Sequence, residues 1–214
     1  MAARPTVVVL AAGRSSRFGV GHHKLAQPLG ETTVLAQTLA NAIATHLRTV
    51  VVTIAAFVDV ARSSVAARDV VVLPEVGSDG GSQLGMGASI AAGVGASPDS
   101  SGWLVLPGDM PMIQPATVLA VANALEHHPI AFAQFRARRG HPVGFAAELY
   151  PELTALSGDE GARRIIARYP AFAVERDDPG ILADIDTEGD LDALRRVVAA
   201  AGPGIAPAPL IAPT

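Results

Sequence analysis

Four short, nearly unbroken runs of apolar and β-branched residues mark the first half of the chain, and each is followed by a stretch with helical character. The runs are TVVVL (residues 6–10), TVVVTI (49–54), DVVVLPE (69–75) and GWLVLPGD (102–109). Continuous runs of this kind, without polar alternation, belong to strands buried on both faces. Between them lie the expected helices. Residues 31–47 carry Val34, Leu35, Leu39, Ala42 and Ile43 on one side; 58–67 is a shorter helix; 87–96 is rich in small residues; 115–127 opens on a proline, which the first helical turn tolerates. Strand–helix alternation predicts an α/β chain: a mainly parallel sheet with helices on both faces and right-handed crossovers. Ligands of such sheets bind beyond the carboxyl ends of the strands.

The rhythm changes near residue 129. PIAFAQF (129–135) and HPVGFA (141–146) read as an antiparallel strand pair joined by the basic turn RARRG. Helices follow at 147–156 and 159–169, then short strands AFAVE and ILADID (181–186), then a last helix over 187–200. Thr187 is its N-cap, with Asp190 three residues on in a box-like position. The expected organisation is one domain over residues 1–200 and a flexible Pro/Ala-rich tail over 201–214.

Composition narrows the function. Half of the 214 residues are hydrophobic, enough for a sizeable core. The net charge is −4 and no stretch is strongly basic, which argues against a nucleic-acid partner. There is no cysteine, so no disulfide, thiolate nucleophile or zinc site is expected. The apolar runs are too short and broken to span a membrane. The N-terminal apolar stretch leads into Arg14 and Arg17 and reads as the first strand rather than a leader, which predicts a cytoplasmic protein.

Two loops at strand ends carry the chemistry. After the first strand, Gly13 and Gly19 let the backbone turn and present its amides, while Arg14, Arg17 and, slightly later, Lys24 supply positive charge. Arginine suits phosphate through its planar fork, and three cations with free amides suit a triphosphate. Neither the Walker pattern nor the dinucleotide fingerprint is present. After the fourth strand, Asp109 sits between Gly108 and Met110-Pro111. A hard cation bridging phosphates needs one or two carboxylates plus waters. Asp184 and Asp186, alternating along an expected strand, are candidates to hold Mg²⁺ together with Asp109. Helix capping is the competing reading of the Asp184–Asp186 pair. Adjacent histidines at 22–23 and 127–128 point apart and read as surface residues, and Trp103 as core.

Six segments in order resemble the MobA-like nucleotidyltransferases, and among them most closely the molybdenum-cofactor cytidylyltransferases. They are LAAGRSSRFG (10–19), LGMGASIAAGV (84–94), PGDMPMI (107–113), RGHPVGF (139–145), GDEGAR (158–163) and DIDTEGDL (184–191), with Lys24 where the family carries its phosphate-binding lysine. The resemblance spans roughly residues 5 to 195. It implies a Rossmann-like α/β/α sandwich of the nucleotide-diphospho-sugar transferase type. It also implies transfer of a nucleoside monophosphate from an NTP to a phosphorylated acceptor, with release of pyrophosphate. Ala12, in LAAG where guanylyl-transferring relatives tend to LAGG, points to CTP. The molybdopterin acceptor is implied, with a molybdoenzyme or its chaperone as a further partner. Gln27, Gly144 and Glu160 depart from common family residues, and all three bear on acceptor recognition.

The roles implied are these. Lys24, Arg17 and Asp109 are catalytic. Leu10, Ala11, Ala12, Gly13, Arg14, Ser15, Ser16, Arg17 and Lys24 bind the nucleotide, joined by Gly87, Ser89, Pro107 and Gly108. Arg139, His141, Gly158, Asp159 and Arg163 face the acceptor, and Asp109, Asp184 and Asp186 hold the metal. Open alternatives are transfer to a sugar or polyol phosphate, a GTP-using relative, a non-catalytic nucleotide-binding module, and an NAD(P)-dependent oxidoreductase, which the missing fingerprint disfavours.

Overall fold

Each apolar run forms a strand of one seven-stranded sheet in the computed structural model of the protein, which describes residues 3–13, 18, 23–74, 85–159 and 161–201. The strands, in chain order, are β1 (Thr6–Ala11), β4 (Arg48–Thr53), β5 (Val70–Val72), β6 (Gly102–Pro107), β7 (Ile130–Phe135), β8 (Arg138–Ala146) and β9 (Ala171–Glu175). A small antiparallel pair, β2 (Pro28–Leu29) and β3 (Thr32–Thr33), stands apart. The sheet order is β5-β4-β1-β6-β8-β7-β9, and β8 alone runs against its neighbours. The helices are α1 (Val34–Ile43), α2 (Val58–Ser64), α3 (Met86–Gly95), α4 (Pro115–Ala124), α5 (Tyr150–Thr154), α6 (Arg163–Arg168) and α7 (Glu188–Ala201).

Pleat alternation sorts the core into two layers. Val7 and Val9 of β1, with Leu104 and Leu106 of β6, pack with residues of α1, α4 and α7. Val8, Trp103 and Val105 face the other way, with residues of α3, α5 and α6. The result is the mostly parallel α/β/α sandwich expected from the alternation. Trp103 is fully buried, and its indole N–H donates to the Ser97 hydroxyl at 3.0 Å.

Several boundaries move for local reasons. The helix expected from residue 31 starts at Val34, because Thr32 and Thr33 pair with Leu29 and Pro28 and the Thr33 hydroxyl then accepts from the Ala36 amide. In RARRG only Arg136 and Ala137 turn, both at positive φ; Arg138, Arg139 and Gly140 already belong to β8. ILADID is not a strand. Residues Pro179–Leu182 form a 3-10 turn and Asp184 to Asp186 are irregular. The capping box at Thr187 is present: the Asp190 amide donates to the Thr187 hydroxyl and the Thr187 amide to the Asp190 carboxylate. The Thr187 hydroxyl donates to the Asp190 carboxylate at 2.7 Å, and that bond, with those from the Thr187 and Asp186 amides, holds the carboxyl below its ordinary pKa. Of the tail, only Ala201 lies within the described residues.

Gly93 lets α3 lie directly on the sheet. A Cβ there would fall 2.3 Å from Val8 Cγ1 and 2.9 Å from Val52 Cγ2. Both valines are fully buried, so neither has room to give. Alanine would favour the helix by about 1 kcal/mol over glycine, but the overlap dominates. We expect Gly93→Ala to lower stability by about 1–3 kcal/mol, measured by urea unfolding; a stabilised variant would show that the helix lifts at no cost.

Candidate active site

β1 and β6 are neighbours, with Leu10 opposite Pro107, so the carboxyl ends of the two strands are side by side although nearly a hundred residues apart in sequence. The Gly108 amide donates to the Leu10 carbonyl at 2.9 Å and ties the two exits together. Beyond them opens a cleft of about 810 Å³ at the carboxyl ends of the strands. β1 also lies where the chain order reverses, between β4 on one side and β6 on the other. That is the position at which open α/β sheets bind ligands.

Lys24 stands at the centre of the charged wall. It opens a 3-10 turn whose Leu25 is buried, so the side chain is anchored next to the sheet rather than hung in solvent. Its Nζ lies 2.5 Å from Asp109 Oδ2 and 3.3 Å from Asp186 Oδ1. The lysine and Asp109 side chains are only 15% and 12% exposed. The other Asp109 oxygen, Oδ1, is buried and has no hydrogen-bond partner among the described residues. A buried carboxylate oxygen left without a donor is costly unless something positive or protic meets it.

The segment carrying Asp184 and Asp186 is fastened to this wall from below. Asp178 is buried and accepts from the Gln114 and Gly180 amides, both at 3.0 Å. Gly180 passes so close to Met112 that a Cβ would fall 2.2 Å from its carbonyl oxygen. The Ile185 amide then donates to the Asp109 carbonyl at 3.2 Å. Ile185 is buried, and Asp184 and Asp186 on either side line the cleft. The alternation expected of a strand thus survives without one. Asp178 and Gly180 escaped the sequence reading, although Asp-Asp-Pro-Gly is a turn-and-cap run.

The opposite wall is β8. Arg138, Arg139, Gly140 and His141 all line the cleft, and Arg138 was not among the expected residues. Gly140 lies against the 179–182 turn, where a Cβ would fall 2.3 Å from the Ile181 carbonyl oxygen. The Arg139 guanidinium lies 4.3 Å above the Phe132 ring. Burial lowers its pKa, yet arginine stays charged. Burial also pushes the His141 imidazole below its ordinary value, outweighing the carboxylates of Asp109 and Asp184 and the Val105 backbone, which pull it up; Arg139 pushes it further down. Burial thus favours the neutral imidazole, and its Nδ1 is buried with no partner among the described residues. At the cleft's third side, the Gly87 amide donates to the Gly158 carbonyl at 2.9 Å. A Cβ on Gly85 would fall 2.2 Å from Asp159 Oδ1, so glycine there lets the start of α3 meet the 157–159 loop.

Residues 7–173 match the MobA-like NTP transferase domain, more than three quarters of the chain. The chain belongs to the MobA-like NTP transferase family. It is a nucleotidyltransferase of that family. It is 31% identical over 208 residues to the purine catabolism protein PucB of Bacillus subtilis, covering 89% of this chain and 96% of the relative. It also resembles the crystal structure of Rv0371c from Mycobacterium tuberculosis, at 29% identity and a TM-score of 0.74 over 90% of this chain and 98% of that one. The Rv0371c complex with manganese matches at 26% identity and a TM-score of 0.72, over 92% and 100%.

In this MobA-like transferase, Leu10, Ala12, Gly13, Lys24, Ser89, Pro107 and Asp109 line the cleft, with Arg139, His141, Asp159, Asp184 and Asp186. Ala11, Gly87 and Gly108 are buried and are not cleft-lining. Gly158 and the exposed Arg163 do not line it either. Arg14, Ser15, Ser16 and Arg17 lie outside the described residues. His23 packs edge-on to Phe57, and His128 stacks on Phe172. Among the described residues no helix is long and apolar enough to cross a membrane.

Proposed function

We propose that the protein transfers a nucleoside monophosphate from an NTP, CTP before GTP, to the phosphate of a molybdopterin-type cofactor, releasing pyrophosphate. The observation that carries this reading is one cleft in which Lys24, Asp109 and Asp186 face the Arg139–His141 segment of β8. The first group suits a triphosphate; the second, cationic and partly apolar, suits a phosphorylated heterocycle. The purine catabolism name of the 31% identical relative agrees with service to a molybdoenzyme or its chaperone.

The residues divide the work as follows. An acceptor phosphate oxygen attacks the α-phosphorus in line, and the bond to the bridging oxygen of the β-phosphate breaks. No covalent nucleophile on the protein is needed; holding two anions in register supplies much of the acceleration. Arg139 and Arg138 hold the acceptor's charge. His141 lines the cleft beside them as an uncharged wall for the acceptor's heterocycle. Lys24, with Arg14 and Arg17 of the same strand exit, meets the charge that collects on the leaving pyrophosphate. Asp109 and Asp186, with Asp184 at the rim, fit a divalent cation: one carboxylate oxygen is orphaned and buried, and the donors are hard oxygens. Mg²⁺ is the proposed ion, and the manganese complex of the Rv0371c relative agrees with a divalent site. Bound there, such an ion neutralises phosphate charge.

Incubation with each of the four NTPs, Mg²⁺ and molybdopterin, following pyrophosphate release, tests the reading. CTP is expected to support the fastest transfer, because Ala12, the residue that points to CTP by resemblance, lines the cleft. Faster transfer with GTP at equal concentration would reverse the base assignment and leave the reaction class standing. No pyrophosphate with any NTP and this acceptor would remove the acceptor.

A further inference from the structure

Lys24 sits where a cation is wanted. Its ammonium touches one oxygen of Asp109 and one of Asp186, at 2.5 and 3.3 Å, and so spans the two carboxylates read above as cation ligands. The remaining oxygen of Asp109, a residue of the same cleft wall, is buried and unpartnered among the described residues. Among the described residues no three His, Asp or Glu side chains converge as a metal-binding set. Two carboxylates with a lysine between them carry a net charge of −1, half that of a bare carboxylate pair. A free divalent ion approaching it meets an ammonium at contact distance from both of its ligands, and that repulsion weakens its binding.

We propose that Lys24 is the resident cation of the site, standing in for the divalent ion until a nucleotide arrives. The triphosphate brings the negative charge that draws the ammonium off the carboxylates. It brings the divalent ion with it, so the ligand of the cleft is the metal–nucleotide complex rather than the metal and then the nucleotide. Lys24 keeps its charge throughout and changes only its partner, from carboxylate to phosphate. The inference rests on Asp109 and Asp186 being the cation ligands. It explains why one lysine can serve two demands: neutralising a carboxylate pair when the cleft is empty, and phosphate oxygens when it is full.

The test is Mn²⁺ binding to the full-length protein without nucleotide, read by the loss of the free-ion electron paramagnetic resonance signal. Lys24→Met keeps the apolar stem and removes the charge. It is expected to bind Mn²⁺ about tenfold tighter than wild type, or more. The gain should vanish in the Lys24→Met, Asp109→Asn double variant. Adding a non-hydrolysable CTP analogue to the wild-type protein should raise its Mn²⁺ uptake by a comparable factor beyond that of the analogue alone in a protein-free control, an arm that needs no variant to fold. Equally tight Mn²⁺ binding by wild type and Lys24→Met would overturn the proposal and leave the cation ligands standing. Absence of Mn²⁺ binding by every protein, with nucleotide or without, would overturn both. Neither readout involves an acceptor, so a wrong acceptor does not disturb the result.

Discussion

Asp109→Asn is expected to abolish nucleotidyl transfer and leave the fold in place. The effect on rate follows from charge. Asparagine keeps the shape of the side chain and its seat at the end of β6, but it can no longer balance a cation. Loss of one preorganised electrostatic partner of a developing charge costs about a hundred- to a thousandfold. Loss of a carboxylate that also holds the metal adds to that, so transfer should fall by about a thousandfold or more. The fold should tolerate the change because Asp109 contributes little to packing. Its Oδ1 has no partner among the described residues, and its Oδ2 meets Lys24, which keeps Asp186. The link that fastens the 184–186 segment runs through the Asp109 carbonyl, which the substitution leaves alone. Stability should therefore change by no more than about 1 kcal/mol, read from thermal unfolding. Normal Mg²⁺-dependent turnover in a folded Asp109→Asn protein would end the role given to this carboxylate.

Much of this arrangement was legible in the chain, for physical reasons that differ from place to place. The parallel strands were plain because burial on both faces gives each an unbroken apolar centre: Val7, Val8 and Val9 of β1 are all completely buried. The meeting of the first loop with Asp109 followed from the rule that both lie at carboxyl ends of strands in one sheet, and the Leu10–Pro107 pairing brings them together. The Thr187 box was legible because its chemistry is local, within four residues. What stayed hidden depends on long-range packing. Periodicity cannot distinguish ILADID as a strand from ILADID as a tethered extended segment, because Ile185 is buried in either case. The tether itself, Asp178 to the Gln114 amide, joins positions 64 residues apart. Arg138 was passed over because RARRG reads as a turn, whereas the reversal is completed by Arg136 and Ala137 and the next two arginines are already carried along β8 into the cleft.

Lys24→Ala is expected to slow transfer by about a hundredfold or more while acceptor binding changes little. A solvated loop lysine can be removed at almost no cost, within a factor of about two in rate. Lys24 is not placed that way: its side chain is 15% exposed and its ammonium is in contact with two carboxylates of the cleft. The size of the loss follows from when its partner acquires charge. The bridging oxygen of the leaving pyrophosphate becomes more negative only as its bond to the α-phosphorus lengthens. A cation beside it therefore binds the transition state better than the ground state, which is the condition for acting on the rate. One such contact is worth on the order of 3 kcal/mol in a partly dehydrated site, equivalent to about a hundredfold. The kinetic signature is a fall in kcat with the KM for the acceptor nearly unchanged. Lys24→Arg should restore little, since a guanidinium is broader than an ammonium and cannot occupy the narrow seat between Asp109 and Asp186 as a point charge. The two lysine variants also separate catalysis from ion binding. In the absence of nucleotide, removing the ammonium should tighten the hold on the divalent ion; with all substrates present, it should still cost the rate. A slow enzyme with a well-filled metal site is the combined result expected if the lysine works on phosphate, and a rate within a factor of about two of wild type would take Lys24 out of the chemistry.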